Sequence, residues 1–219
     1  SLHDALPISM RHAELGDEAG MEASIGKLRD RHIQTCRELL PAESQDAVES
    51  GILSLVGEFE RLARGMLMLG ERPPRAVDEA LSVGERMSAL MLAAHLESEG
   101  QLAVAVNAAE AIVTDALFGE ATPLMDETRV MCRETLLPLL ESGSIPIVTG
   151  FNGATVDGRP TTLGRGGSDY SASILAAALN ASEVWIWTDV DGIMTADPRL
   201  VPDAAVLDEV TYHEAAELA

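Results

Sequence analysis

T-T-L-G-R-G-G-S-D-Y, residues Thr161–Tyr170, is the stretch on which the reading of this chain turns. Two apolar strand candidates flank it, Ile145–Thr149 and Val184–Trp187, and it opens a helix predicted from Ser168 to about Leu179. Gly164, Gly166 and Gly167 permit a tight backbone and the close approach of a ligand. Ser168 and Asp169 suit the cap and first turn of a helix. A helix start offers free N–H groups at the positive end of its dipole, which favours an anion. Arg165 adds a full charge and a planar donor fork for carboxylate or phosphate. The stretch therefore reads as an anion loop inside a strand–helix–strand unit with a right-handed crossover. Its parallel strands would bring Thr149–Gly153 and Thr188–Gly192 to one C-terminal sheet edge, where open α/β sheets bind ligands. Taken alone, a glycine-rich surface turn accounts for the same residues equally well.

Working outward, the 219 residues are 47% hydrophobic and 3% aromatic, so a sizeable core must be built from Leu, Val, Ile, Ala and Met. Alternating helical and strand patterns indicate an α/β protein. A net charge of −21 argues against general nucleic-acid binding. It also means that a site for anionic ligands must gather its few cations locally; Lys27 is the one lysine, beside fourteen arginines. Cys36 and Cys132 are too few and too far apart for a metal motif, and both fall on apolar-patterned helices, as buried free thiols do. A reducing cytoplasm fits them. No apolar run is long enough to span a membrane, and no signal peptide is apparent. The five histidines never cluster at ligand spacing, so no metal site is expected; His95 reads as solvent-facing. Met66, Met68, Met87, Met91 and Met125 read as core filler.

Along the chain, a helix is predicted over Met21–Leu40 with Ile25, Leu28, His32, Cys36 and Leu39 on one face. A second runs from about Glu43 to Leu69, with Val48, Ile52, Leu55, Val56, Phe59, Leu62 and Leu69 buried; Gly51, Gly57 and Gly65 weaken it and allow a break. A third runs from about Arg75 to Gly100, with a second start at Ser82, where Glu85 three residues on completes a capping box. Leu102–Ala108 reads as a strand and Ile112–Thr114 as an extended piece. Asp126–Glu141 reads as a helix that absorbs Pro138 by a local adjustment. Ile145–Thr149, apolar throughout, reads as a strand covered on both faces. Phe151–Pro160 reads as a hairpin or lid with a D-G turn.

Five further pieces accompany the glycine loop in order: S-V-G-E-R-M-S-A at Ser82–Ala89, I-V-T-D-A-L-F-G-E-A at Ile112–Ala121, I-P-I-V-T-G-F-N-G at Ile145–Gly153, W-T-D-V-D-G-I-M-T-A-D-P-R at Trp187–Arg199 and Y-H-E-A-A-E-L-A at Tyr212–Ala219. Together they resemble the aspartokinases of the amino acid kinase family. The resemblance is tight from about Ser82 onward and confined to the helix pattern from Met21 to Ala80. It implies a three-layer αβα fold with a mainly parallel sheet. It implies phosphoryl transfer from ATP, with Mg2+, to the β-carboxylate of L-aspartate, the first step toward lysine, threonine and methionine. It also implies a cytoplasmic enzyme and a homo-oligomer in the complete protein, with neither nucleic acid nor membrane as partner.

Residue by residue, the resemblance gives Arg165 the grip on a substrate carboxylate and Glu85 the pairing with its ammonium. Phe151 and Ser168 would line the aspartate pocket. Asp169 would act beside the reacting groups, organising metal and lysine; no general base is needed, because the acceptor carboxylate is already ionised at neutral pH. Thr188, Asp189, Met194 and Arg199 would serve the nucleotide, Arg199 as a phosphate contact. Met194 stands where many relatives carry a tyrosine. Taken singly, Glu85 is explained by a helix cap, Asp189 by a turn and Arg199 by a solvated surface.

The family's K-F-G-G-T strand end, its F-G-A-K-V-L-H-P segment and its C-terminal ACT domains have no match here. Residues 1–9 have no counterpart either and read as a foreign leader. The expectation is accordingly a partial catalytic domain over 10–219, mainly helical to residue 100 and α/β from 101, incomplete at both ends and inactive or aggregating alone. Two alternatives stay open: a catalytically silent homologue acting as a regulatory or assembly subunit, and another amino acid kinase acting on glutamate, acetylglutamate or a nucleotide. A third, a dinucleotide-binding oxidoreductase, is disfavoured by glycine spacing and position.

Overall fold

The computed structural model describes residues 2–164, 166–187, 192–197, 199–211 and 213–214. The chain divides into two units, Ser1–Val184 and Trp185–Ala219. The first begins with four helices: α1 (Leu2–Glu14), α2 (Glu18–Leu39), α3 (Ala42–Leu69) and α4 (Pro74–Ser98). Their apolar stripes close on one another. Phe59, Ile52, Met21, Met66 and Met87 are almost wholly buried at the centre, each such side chain contributing roughly 1.5–3 kcal/mol of transfer free energy. Asp17 caps α2 by accepting from the Gly20 amide at 2.9 Å. Gly70, at φ +68°, ends α3 in the left-handed conformation that suits glycine.

Several expectations give way here. α3 runs unbroken through its three glycines, and Gly51 has a packing reason: a Cβ there would lie 2.7 Å from Leu90 Cδ2 of α4. α4 is also one helix. Its start is set by Pro73–Pro74, and Ser82 is buried with its hydroxyl donating back to Glu79 O at 2.8 Å, so it caps nothing. Leu39 and Leu69 sit in the last turns of their helices and are exposed, with Leu40 buried in place of Leu39. Met68 is 88% exposed rather than core. His95 is half-buried rather than solvent-facing, and its Nδ1 is buried with no hydrogen-bond partner among the described residues. Leu2–Ser9, within the stretch read from sequence as a foreign leader, lie in α1, whose Leu6, Ser9 and Met10 are buried; the Ser9 hydroxyl reaches Met21 O at 3.2 Å.

β1 (Ala103–Val106) pairs in parallel with β3 (Ile145–Val148), and β2 (Val113–Thr114) in parallel with β4 (Asn152–Thr155). β4 then turns through Asp157–Gly158 to pair antiparallel with β5 (Pro160–Thr162), the hairpin expected from the D-G turn. α4 packs on β1 and β3 from one side. From the other, α5 (Met125–Thr135), α6 (Leu137–Glu141) and α7 (Gly167–Leu179) bury Cys132, Leu136 and Ala178 with Val106 and Val148. Helix, sheet and helix thus form the expected three layers. The helix predicted over Asp126–Glu141 is two, because Pro138 has no N–H for the ladder and crowds the preceding turn. β3 is not covered on both faces: Ile145 is 41% exposed.

The strand predicted at Val184–Trp187 is not formed. These residues pair with no strand among those described, and their side chains are 46–86% exposed. A strand is held by a neighbouring strand that takes its backbone groups, and no described strand is paired with this run. Trp185 and Trp187 lie with ring centroids 6.3 Å apart. Within the second unit, Met194 and Val206 form an antiparallel bridge, flanked by hydrogen bonds from Thr195 N to Ala205 O and from Leu207 N to Ile193 O.

Candidate functional site

Three separate pieces of the first unit converge on one pocket. α4 brings Glu85, the turn after β3 brings Phe151, and the glycine loop with the start of α7 brings Gly164, Gly166, Gly167, Ser168 and Asp169. The pocket has a volume of about 290 Å³. Sequence reasoning singled out all seven, from segments that stand as far apart as Glu85 and Asp169.

The geometry is enforced at three glycines. A Cβ on Gly167 would lie 2.9 Å from Phe151 Cβ, and one on Gly150 would lie 2.9 Å from Ser168 Oγ and 3.4 Å from Glu85 Oε2. Gly166 caps α7 at φ +72°, with no side-chain cap for the first amides of the helix. α7 starts one residue earlier than expected, so Ser168 does not cap it; Asp169 lies in the first turn as expected, and both side chains are exposed. The helix start presents its N–H groups and dipole toward the loop, as anion recognition requires.

Phe151 has φ +55°, a left-handed conformation that costs a non-glycine residue of order 1 kcal/mol or more. Its neighbours hold it there. The Phe151 amide donates to Ser171 Oγ at 2.6 Å, and the Ser171 hydroxyl in turn donates to Gly167 O of the same helix. The Phe151 carbonyl accepts from Leu163 N at 2.9 Å. Behind it, the Thr149 hydroxyl donates to Asn152 Oδ1 at 2.7 Å and Asn152 Nδ2 donates to Asn107 Oδ1 at 2.9 Å. Glu85 Oε2 lies 3.4 Å from the Gly150 amide. A carboxylate therefore faces a helix start across a small polar pocket. Such an arrangement suits a zwitterion, whose ammonium and carboxylate need opposite partners.

Sequence reasoning missed Asp78, two turns before Glu85 on α4. Its side chain is 1% exposed. Oδ2 accepts from Gly119 N at 2.8 Å and Thr162 N at 3.0 Å, and Oδ1 from the Thr162 hydroxyl at 2.8 Å. Burial pushes its carboxyl above the usual range, against the pull of these three donors. Ser171 was missed too, and Gly150 and Asn152 were read only as part of the Thr149–Gly153 strand end. The contacts that give them a place in the site come from distant segments: Phe151 for Ser171, Asn107 for Asn152, and Ser168 and Glu85 for Gly150.

Arg165, Thr188 and Asp189 lie outside the described residues. In the second unit, Met194 is held in its bridge to Val206. Arg199 is exposed, and its fork is engaged by Asp197, Nε to Oδ1 at 3.1 Å and Nη2 to Oδ2 at 2.9 Å. The pair holds the Asp197 carboxyl below its ordinary range. No group of three or more His, Cys, Asp or Glu side chains among the described residues is arranged to hold a metal ion. No helix among them is long and apolar enough to cross a membrane.

A model of the amino acid kinase family matches residues 12–219. The chain is 42% identical over 167 residues to the lysine-sensitive aspartokinase 3 of Escherichia coli, covering 74% of this chain and 37% of that protein. It is 38% identical over 180 residues to an aspartokinase of Pseudomonas aeruginosa, covering 81% and 42%. The crystal structure of E. coli aspartokinase III in complex with aspartate and ADP, in its R-state, superposes with a TM-score of 0.89 at 33% identity, over 99% of this chain and 46% of that one. The chain thus spans less than half the length of the curated relatives it matches.

Proposed function

The chain belongs to the amino acid kinase family, and from that premise we propose that the complete protein transfers the γ-phosphoryl group of MgATP to the β-carboxylate of L-aspartate, giving 4-phospho-L-aspartate. The observation that carries this reading is the pocket in which Glu85 faces the glycine loop and the start of α7. The relatives named aspartokinase, and the E. coli structure holding aspartate and ADP, support aspartate as the zwitterion that fills it.

In this reading Glu85 takes the α-ammonium and Arg165, with the first amides of α7, takes the α-carboxylate. Phe151 and Ser168 bound the pocket and leave the β-carboxylate free to attack. Phosphoryl transfer asks a protein mainly for positioning and for charge around the transferred group, which Mg2+ carried by the nucleotide supplies when bound. Magnesium commonly relies on one or two carboxylates and the phosphates rather than a protein cage; Asp169 is the pocket carboxylate that would take part. Thr188, Asp189, Met194 and Arg199 are assigned to the nucleotide, Arg199 exchanging Asp197 for a phosphate. We assign the complete protein to a homo-oligomer in the cytoplasm, acting on small molecules and not on nucleic acid or membrane.

Trapping the acyl phosphate with hydroxylamine tests this directly. The complete protein should form hydroxamate from L-aspartate and ATP, and far less from glutamate or acetylglutamate. Turnover of one of those in preference to aspartate would move the protein to another branch of the family. No turnover with any of them would favour a silent homologue.

A further inference from the structure

We propose that Asp78 is a positioning residue for the pocket: a buried carboxylate on α4 that fixes where the glycine loop stands relative to Glu85. Asp78 and Glu85 are seven residues apart on one unbroken helix, so they share a face and are separated along the axis by about 10.5 Å. Glu85 reaches the pocket itself. Asp78 instead grips both chain segments that support the loop. It takes the amide and the hydroxyl of Thr162, the last residue of β5 and two before Gly164, and it takes the amide of Gly119.

The two segments are locked to each other as well. Ala121 N donates to Thr162 O at 2.8 Å, and a Cβ on Gly164 would lie 3.4 Å from both Gly119 O and Glu120 Cγ. From Thr162 the chain passes through Leu163, whose amide holds the Phe151 carbonyl. Displacing Thr162 therefore moves Phe151 and Gly164 together, while Glu85 stays with its helix. Among the described residues no basic side chain pairs with Asp78, and three N–H or O–H donors converge on it. A carboxylate held this way acts through the backbone it orders. Among the described residues it is the one buried acid.

The inference deepens the aspartate kinase reading and rests on it for its kinetic test. In the complete protein, Asp78→Ala should raise the KM for aspartate about tenfold or more, with the KM for ATP within about threefold, since losing buried acceptors leaves their donors unmatched. Asp78→Asn should stay within about threefold of the parent: its oxygen can take both amides, and its NH2 can donate to a reoriented Thr162 hydroxyl. A purely structural role predicts something else, a lower Tm and a lower kcat from fewer folded molecules at unchanged KM; that result overturns the proposal. Should Asp78→Ala fail to fold, Thr162→Val gives the second reading, a KM for aspartate raised about threefold or more if the proposal holds and unchanged if it does not. Loss of activity on aspartate in the parent protein itself would refute the kinase reading instead. The positioning role is then read from amide exchange: Gly119 and Thr162 slow in the parent and in Asp78→Asn supports it, and fast exchange of both in the parent overturns it.

Discussion

Gly167 and Phe151 stand so close that a methyl group on the glycine would lie 2.9 Å from the phenylalanine Cβ and 3.2 Å from its Cα. The contact joins the start of α7 to the turn after β3. Neither side can yield easily, because one is helix and the other is backbone held at φ +55°.

Gly167→Ala should therefore part the two walls of the pocket. Overpacking of this kind costs typically 1–3 kcal/mol, and the expected outcome is a lower denaturant midpoint together with a raised KM for aspartate in the complete protein. Chemical denaturation and steady-state kinetics check the two parts separately.

Ser171 offers a complementary test, since its hydroxyl serves the Phe151 amide and no pocket surface depends on it. Ser171→Ala leaves a half-buried amide without its acceptor, a loss of about 1–3 kcal/mol. Faster exchange of the Phe151 amide, with weaker aspartate binding, is the expected result. Ser171→Thr, which keeps an oxygen, should restore part of both.

Asp17 supplies the pH dependence. The Gly20 amide, and after it His12, hold its carboxyl below the ordinary value of 3.8. A depressed folded-state value means the stabilisation is fully present above the unfolded value and is lost as pH falls through the folded one. Asp17→Ala should thus lower the Tm at pH 6, and the gap between variant and parent should close as the pH is taken from 4 toward 2. Thermal melts at those pH values decide it.

Burial pushes the Cys132 thiol up to about 11 and raises the Cys36 thiol as well. Because the thiolate is the nucleophile, neither should react with a disulfide reagent at pH 8 in the folded protein. Unfolding in urea should release both. Rapid labelling of either cysteine before unfolding would contradict their placement in the core.

What was legible in the sequence was local. The hairpin announced itself in Asp157–Gly158, the pocket loop in Gly164, Gly166 and Gly167, and α2, α3 and α4 in their apolar spacing. Each signal is written within a few residues, because a turn or a helix start must satisfy its own backbone. What escaped depends on distant partners. Asp78 meets Thr162 across 84 positions, and as sequence it is one acid among thirty-six Asp and Glu. Gly150 stood within I-P-I-V-T-G-F-N-G without a role of its own, yet a side chain there would meet both Ser168 and Glu85. Val184–Trp187 misled in the opposite direction. Its composition is that of a buried strand, but strand formation belongs to a pair, and no partner strand lies among the described residues.

The most direct test of the account is the kinetics of Glu85→Gln in the complete protein. Glutamine keeps the shape and removes the charge that the account sets against the substrate ammonium. A charged hydrogen bond of roughly 1.5–3 kcal/mol corresponds to a KM for aspartate raised about 10- to 100-fold, with the KM for ATP little changed. An unaltered KM for aspartate would contradict the assignment of this pocket to the substrate.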